Sequence, residues 1–412
     1  MPCARSPVDP AQGMNMYLDQ PRTIYLISPQ PWDGFKVSKH HYARALAEMG
    51  HSVFFIESGP TTKGWGRIEI TDSEIPNLKT VRYAGYMFRW FRFRARGLYD
   101  ALGPVKVRQL ERAIGVRPDI VWDFDNLFQF RSLTLFDPAL KIFHPVDSLV
   151  AGWTAAKDQD LHIALAQEFT DGVDPDRTPT LFVPHGLNPA HAAYAREVVS
   201  TPAVFSTAAD RPVVGYVGNL SADGIDWPMI ERLVRQNPEV TFRLIGPTGG
   251  LSDPNERSIA ERLKDEPNCE MPGLVPVEKV VEQAGEIDLW LVCYDIARRP
   301  DAAINTHKVL EYLATGKAVL SNYIGAYEGT GLLHMPATHS NDDMPSILAR
   351  VLADPMRTNT AEEMARRAAF AFEHSYAANL ETMNRFLTDW VSGRVDPDPD
   401  GATAGKAAQV PA

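Results

Sequence analysis

The stretch from Asn305 to Lys317, Asn-Thr-His-Lys-Val-Leu-Glu-Tyr-Leu-Ala-Thr-Gly-Lys, constrains the fold more than any other. Asn305 is a good helix N-cap and Gly316 a good C-cap, and the interval between them is about three turns. At ~100° per residue Val309, Leu310 and Leu313 share one face, while Lys308, Glu311 and Thr315 share the other. A short helix therefore buries one side and presents a cation and a carboxylate together. Asp288 to Tyr294 reads as a buried strand before it, and Ala318 to Asn322 as the next strand after it. Strand, loop, helix and strand make a right-handed parallel unit whose helix N-terminus stands at the carboxyl edge of the sheet, where open α/β sheets bind ligands. The helix start around Asn305 and His307, with free backbone N–H groups and Lys308 in the first turn, is a candidate diphosphate site. A solvated i,i+3 pair of Lys308 and Glu311 is the plainer alternative.

The same alternation starts the chain. Thr23 to Ser28 reads as a strand, Pro29 to Gly34 as a loop, and a helix runs from Ser38 to Gly50 with Tyr42, Ala45, Leu46 and Met49 on one face; His51 to Glu57 is the second strand. This βαβ unit lacks Gly-x-Gly-x-x-Gly, which removes the best evidence for a nicotinamide oxidoreductase. Strands follow at 119–124, 141–144, 161–166 and 180–183. A Pro, Ala and Ser stretch near 198–211 precedes a new sheet beginning Val213 to Leu220, with a helix at 227–236, a strand and turn at 241–247, and Asn268 to Met271 leading into Gly273-Leu274-Val275-Pro276. Helices near 343–353, 360–373 and 376–391 close the chain. The expected organisation is a disordered tail at 1–22, one domain at 23–200, a second at 211–374, a C-terminal helix at 375–392 and a disordered tail at 393–412.

At 412 residues two domains are the default. A net charge of −11 argues against a nucleic-acid partner. Cys3, Cys269 and Cys293 are scattered without metal-ligand spacing and read as reduced thiols. Residues 1–20 lack the apolar core of a signal peptide and no long apolar run spans a membrane, so the cytoplasm is expected, with contact at the inner face of the plasma membrane left open. Residues 82–112 depart from the acidic average. Eight cations, Arg82, Arg89, Arg92, Arg94, Arg96, Lys106, Arg108 and Arg112, face two anions, Asp100 and Glu111, which leaves a local +6. Interleaved aromatics make Arg89, Trp90, Arg92, Phe93, Arg94 and Arg96 candidates for contact with an anionic membrane. A solvated connector whose aromatics fold back on the core is the equal alternative.

Lys308-x-x-Glu311-Tyr-Leu-Ala-x-Gly-Lys between two strands resembles the nucleotide-sugar half of GT-B glycosyltransferases, and the strand-Trp-Asp-Gly-loop-helix-Gly-His-strand opening is similar to GT-B enzymes that build bacterial polysaccharides. The resemblance implies an α/β protein of two Rossmann-like parallel-sheet domains facing across a cleft. It implies that Lys308 meets the diphosphate, Glu311 binds the ribose hydroxyls, Gly218 and Asn219 form the first donor-domain turn, and the backbone of Leu274 and Val275 reads the base. Asp33 and Gly34 fall on the acceptor loop. The implied reaction is metal-independent transfer from a nucleoside diphosphate sugar to a saccharide or lipid-linked saccharide acceptor in cell-surface polysaccharide synthesis, with no cofactor. Pro184-His185-Gly186-Leu187-Asn188 resembles the family's Pro-Asn-Gly-Val-Asp turn and departs from it at His185 and Asn188. After Gly218, where many relatives carry a basic residue, stand Ser221, Ala222 and Asp223, so Arg298 and Arg299 become the phosphate candidates. Ala303 replaces a glutamate that many retaining members have, which favours inversion.

Inversion needs a base for the acceptor hydroxyl. Asp147, just past a strand, resembles the base segment of the inverting xanthan glucuronosyltransferase; His144 is the rival, and an N-cap role for Asp147 is the plain alternative. Asp123-Phe124-Asp125 invites a metal, but that motif belongs to the other glycosyltransferase architecture; here it caps a helix or lines the acceptor cleft. Two other classes stay open: a non-catalytic nucleotide- or polysaccharide-binding scaffold of this fold, and a nucleotide-sugar epimerase.

Overall fold

The structure is a computed structural model that describes residues 16–33, 36–57, 67–83, 89–146, 149, 154–165, 167–201, 211–222, 224–298 and 307–393. The chain divides into two compact units. The first comprises the described residues up to Val183 and those from Asn379 on; the second runs Pro184–Ala378.

In the first unit, β1 (Thr23–Ser28), β2 (Ser52–Glu57), β3 (Ile68–Asp72), β4 (Leu78–Tyr83), β5 (Ile120–Asp123), β6 (Leu140–Phe143), β7 (Leu161–Ala164) and β8 (Thr180–Phe182) form one sheet. Its order is β3-β4-β2-β1-β5-β6-β7-β8, and the neighbouring strands run parallel except β3 against β4. Ile24-Tyr25-Leu26-Ile27 and Val53-Phe54-Phe55-Ile56 are apolar at every position because both faces of a parallel sheet are covered, and all are buried. The helices are α1 (Ser38–Glu48), α2 (Arg89–Arg94), α3 (Arg96–Ala101) and α4 (Gly103–Ile114). Pro104 starts α4 and Gly115, at φ 84°, ends it.

The segment expected to meet a membrane is thus a run of short helices, and two of its arginines turn inward. Arg92 is 4% exposed and stands 3.9 Å from Asp125 Oδ2. Arg96 donates to Asp100 Oδ2 (2.8 Å) and Phe128 O (2.9 Å). Their charges serve Asp100 on α3 and, from the loop after β5, Asp125 and the Phe128 carbonyl, which corrects the expectation that they face lipid. Phe93 and Arg94 are exposed. The assignments for the Arg89 and Trp90 side chains lie outside the described residues.

In the second unit, β9 (Val213–Val217), β10 (Thr241–Ile245), β11 (Cys269–Gly273), β12 (Leu289–Val292) and β13 (Ala318–Ser321) form a wholly parallel sheet of order β11-β10-β9-β12-β13. Around it lie α5 (Pro189–Ser200), α6 (Trp227–Gln236), α7 (Pro254–Lys264), α8 (Val277–Gln283), α9 (His307–Ala314), α10 (Met344–Ala353), α11 (Pro355–Thr358) and α12 (Ala361–Glu373). Asn188, Asp226, Asp253 and Thr360 cap α5, α6, α7 and α12 through their side-chain oxygens. Strand order reverses between β9 and β12, which makes their carboxyl ends the switch point where such sheets take ligands. The last helix, α13 (Tyr376–Val391), belongs from Asn379 on to the first unit, where Asn379 donates to Tyr42 Oη (3.2 Å) and Asn384 accepts from Leu18 N (2.7 Å). Among the described residues no helix is long and apolar enough to cross a membrane.

Candidate functional site

The second unit brings several of the expected residues to one sheet edge. Gly218 and Asn219 follow β9, Gly246 follows β10, Leu274 and Val275 follow β11, and Lys308 and Glu311 lie on α9 beyond β12. Three strand ends are tied together there. Gly218 N donates to Ile245 O (2.9 Å) and Gly246 N to Gly273 O (2.8 Å). A Cβ on Gly246 would stand 1.7 Å from Gly218 O, so the close approach of these turns requires glycine.

Lys308 does not hang in solvent. Its Nζ donates to Tyr216 Oη and to Tyr294 Oη, each at 2.7 Å, and lies 4.5 and 5.1 Å from the two ring centroids. Tyr216 comes from β9 and Tyr294 from just past β12, so the clamp spans the switch point. Burial raises the Tyr216 hydroxyl well above the usual phenol range, which keeps it a neutral partner for the ammonium. A Cβ on Gly218 would lie 2.3 Å from Lys308 Cε and Nζ; the lysine crosses the space that glycine leaves.

Glu311, one turn on, accepts from Asn188 Nδ2 at 2.8 Å. Lys308 and Glu311 therefore have separate partners, and the solvated i,i+3 pair does not form among the described residues. Tyr312 locks α9 in place: its Oη accepts from Val217 N (2.7 Å) and donates to Val217 O (3.1 Å), and its ring stacks on Trp290 with centroids 4.5 Å apart. Thr315, expected on the presented face, is buried. The helix has ended at Ala314, and the Thr315 hydroxyl turns in to accept from Trp290 Nε1 (2.9 Å) and donate to Tyr312 O (2.7 Å). Gly316, at φ 75°, makes that turn.

Other donor-side candidates stand apart from this cluster. Arg298 Nη2 donates to Glu256 Oε1 on α7 at 2.6 Å, so its charge already has a partner. Asn219 is exposed and its Oδ1 accepts from Ser221 N (3.0 Å), closing its own turn. Leu274 is 63% exposed and Val275 half-buried at the end of β11. Asn305 and Arg299 lie outside the described residues, as does the His307 side chain.

In the first unit, Asp33 is exposed and paired with Arg82, which also donates to Glu57 Oε2 (2.6 Å). Gly34 and Asp147 lie outside the described residues. His144 is fully buried in an aromatic stack, 4.7 Å from Phe124, 5.4 Å from Tyr42 and 6.1 Å from Trp122. Burial holds its pKa well below the usual histidine range. A ring walled in this way packs the core and has no hydroxyl to deprotonate, which corrects its assignment as a base. Asp123 is equally occupied: Lys157 Nζ donates to its Oδ2 (2.5 Å), while Asp125 takes the backbone N–H groups of Leu127 (2.9 Å) and Gln129 (2.5 Å). Among the described residues no group of acidic, histidine or cysteine side chains could hold a metal ion.

The tyrosine clamp and Asn188 escaped the sequence reading. Two tyrosines ending adjacent parallel strands are the signal that could have found the clamp, since a phenol at a sheet's carboxyl edge needs a polar partner. Nothing in the sequence points from Asn188 to Glu311.

No family model matches the chain, and no curated protein matches its sequence. Solved structures match it over nearly its whole length. Sucrose-phosphate synthase from Thermosynechococcus elongatus is 16% identical, with a TM-score of 0.58, over 90% of this chain and 100% of that one. An alpha,alpha-trehalose 6-phosphate synthase from Burkholderia multivorans is 14% identical, with a TM-score of 0.59, over 91% and 100%. HepE from Anabaena, in complex with UDP and glucose, is 13% identical, with a TM-score of 0.56, over 90% and 99%. The chain has the GT-B fold. The GT-B likeness extends through both sheets, and α9 with its clamped lysine belongs to the five-stranded one.

Proposed function

We propose that this chain is a glycosyltransferase that moves a sugar from a nucleoside diphosphate sugar to a saccharide acceptor. The observation that carries the reading is Lys308, poised by Tyr216 and Tyr294 over Gly218 at the switch point of the second sheet. There the ammonium and the N-terminus of α9 meet the charge that develops on the departing diphosphate, in place of a metal. Glu311 takes the ribose hydroxyls, and Gly218 lets the phosphates approach the backbone. HepE was solved with UDP and glucose, and an E. coli structure of the same fold with UDP-2-fluoro glucose, which supports a uridine donor as the first to test. In the chemical step, the acceptor oxygen bonds to the anomeric carbon as the bond from that carbon to the phosphate oxygen breaks, and the hydroxyl proton passes to Asp147. The sequence supports that role, since Asp147 follows β6 closely.

Calorimetry with UDP and GDP tests the donor half. The protein binds one of them at micromolar Kd, and Lys308→Ala or Glu311→Ala weakens that binding by about tenfold or more. Absence of binding to both nucleotides sinks the reading and leaves a scaffold of this fold.

The acceptor we assign is lipid-linked, in cell-surface polysaccharide synthesis at the cytoplasmic face of the membrane. Exposed Phe93, Leu98 and Val105 stand among exposed Arg94, Arg108 and Arg112 on α2, α3 and α4, a mixture suited to an anionic bilayer. Buried, unpaired Cys269 and Cys293 support a reducing compartment. Vesicles of phosphatidylglycerol should pull the protein down where phosphatidylcholine does not, and Phe93→Ser with Arg94→Glu should release it. Equal partitioning to both vesicle types would remove the lipid part of the assignment and leave a soluble saccharide acceptor.

A further inference from the structure

Asn188 does two jobs at once. Its Oδ1 caps α5 by accepting from His191 N at 3.0 Å, and the same oxygen lies 3.0 Å from His191 Nδ1. Burial lowers the pKa of His191, so its ring is neutral and carries one proton. A carbonyl oxygen facing Nδ1 places that proton on Nδ1. Two N–H donors therefore converge on Oδ1 and fix which end of the amide is oxygen. The other end, Nδ2, then has to face Glu311, where it donates to Oε1 at 2.8 Å. The chain His191 Nδ1–H to Asn188 Oδ1, Asn188 Nδ2–H to Glu311 Oε1, runs in one direction without ambiguity.

We infer that Asn188 is a positioning residue for Glu311, and that the uncharged amide at 188 holds the carboxylate in the orientation that takes the donor's ribose hydroxyls. The inference rests on the donor reading above. An aspartate at 188 would set a carboxylate at hydrogen-bond distance from Glu311, where one of the two must take up a proton.

The described groups around this pair include His374 at the end of α12, whose backbone O accepts from Leu187 N (2.8 Å), next to Asn188. From α5 His191 faces the pair; on α9 itself stand Tyr312 and, a turn earlier, Lys308. Of the helices packed against these two, α12 turns Arg367 to Gly316 O, at the C-terminus of α9, and α8 keeps Lys279 and Glu282 paired with each other at the surface.

The test is Asn188→Asp, alone and combined with Glu311→Gln, read by thermal melting and by UDP and GDP calorimetry at about pH 5.5 and about pH 8. Aspartate caps a helix as well as asparagine, so the variant keeps α5. The paired carboxyls bind a proton more tightly folded than unfolded, so the stability of Asn188→Asp relative to wild type falls as pH rises, and Glu311→Gln restores it by turning an amide to the new carboxylate. Nucleotide binding by Asn188→Asp follows, about tenfold weaker than wild type at the higher pH and recovered at the lower pH; the double variant, which lacks the Glu311 carboxylate, is read by melting alone. A melting difference that ignores pH and is not relieved by Glu311→Gln overturns the inference, whatever the nucleotides do. If melting shows the coupling while wild type and Glu311→Ala bind nucleotide alike, the positioning stands and the ribose role of Glu311 is what fails.

Discussion

Lys106 shows what burial does to a single cation. It lies on the inner face of α4, donates to Tyr99 Oη at 2.9 Å and sits within 5.3 Å of the Tyr83, Tyr99 and Phe130 ring centroids. Burial, reinforced by Arg92 and Arg96 against Asp125 and Asp100, lowers its pKa to about 7. The unfolded lysine holds its proton up to its ordinary value of 10.5, so between those limits the unfolded chain binds a proton that the native chain does not. Stability from this residue therefore rises with pH across that window and is level below it. Lys106→Met should remove the slope, so that urea unfolding at about pH 7 and about pH 9.5 differs less for the variant than for the wild type. An unchanged slope would show that aromatic contact compensates the desolvated charge. Burial is also why His144 leaves the list of bases: an apolar wall that costs a lysine its proton costs a histidine its access.

At the scale of elements, α9 is held by the buried Val309, Leu310 and Leu313 and tied to the sheet by Tyr312, whose hydroxyl makes both bonds to Val217 at the end of β9. Tyr312→Phe removes the partner of the half-buried Val217 N–H and carbonyl, and should cost ~1–2 kcal/mol by thermal unfolding. The same change should weaken nucleotide binding, because Lys308 rides on the same helix; a variant as stable as wild type would show that Trp290 stacking suffices. Most of this architecture was legible in the sequence. The continuous apolar strands β1, β2, β9, β12 and β13 and the periodic helices α6, α10 and α12 announce themselves, because burial on one or both faces imposes the pattern residue by residue. What escaped has a common cause. Arg92 and Arg96 look like surface cations because their partner Asp125 and the Phe128 carbonyl arrive from a loop some thirty residues away. Asn188 and Glu311 are 123 residues apart. Helix α5, rich in alanine with little periodic contrast, read as a loose stretch at its end, and Thr315 was misplaced because helical periodicity stops one residue earlier than the pattern continues. Local propensity is written in neighbours; pairing across the fold is not.

For the molecule as a whole, each unit has its own apolar core, and each core is an open sheet with two margins, of which the β13 side of the second sheet is bridged by His334: Ser321 N donates to His334 O (3.0 Å) and His334 N to Val319 O (2.8 Å). An open margin is a row of unpaired peptide groups that another copy of the chain can zip onto. Each is guarded in its own way. The first sheet closes on one side with β3, turned antiparallel and carrying Glu69 opposite Arg82 and Asp72 opposite Lys79, the latter pair 2.8 Å apart. Its other side ends in β8, only three residues long, with Pro179 before it and Pro184 shortly after. In the second sheet Pro272 interrupts the outer strand β11 and removes one donor from its edge. Replacing Glu69 and Asp72 by valine should leave the monomer folded yet raise light scattering with concentration and time; a clear solution at about 100 μM would mean that twist alone protects the edge. The reversed strand β3 thus stands as a guard against fibrillar self-association, and its charges keep the protein dispersed at the margin where its sheet would otherwise grow.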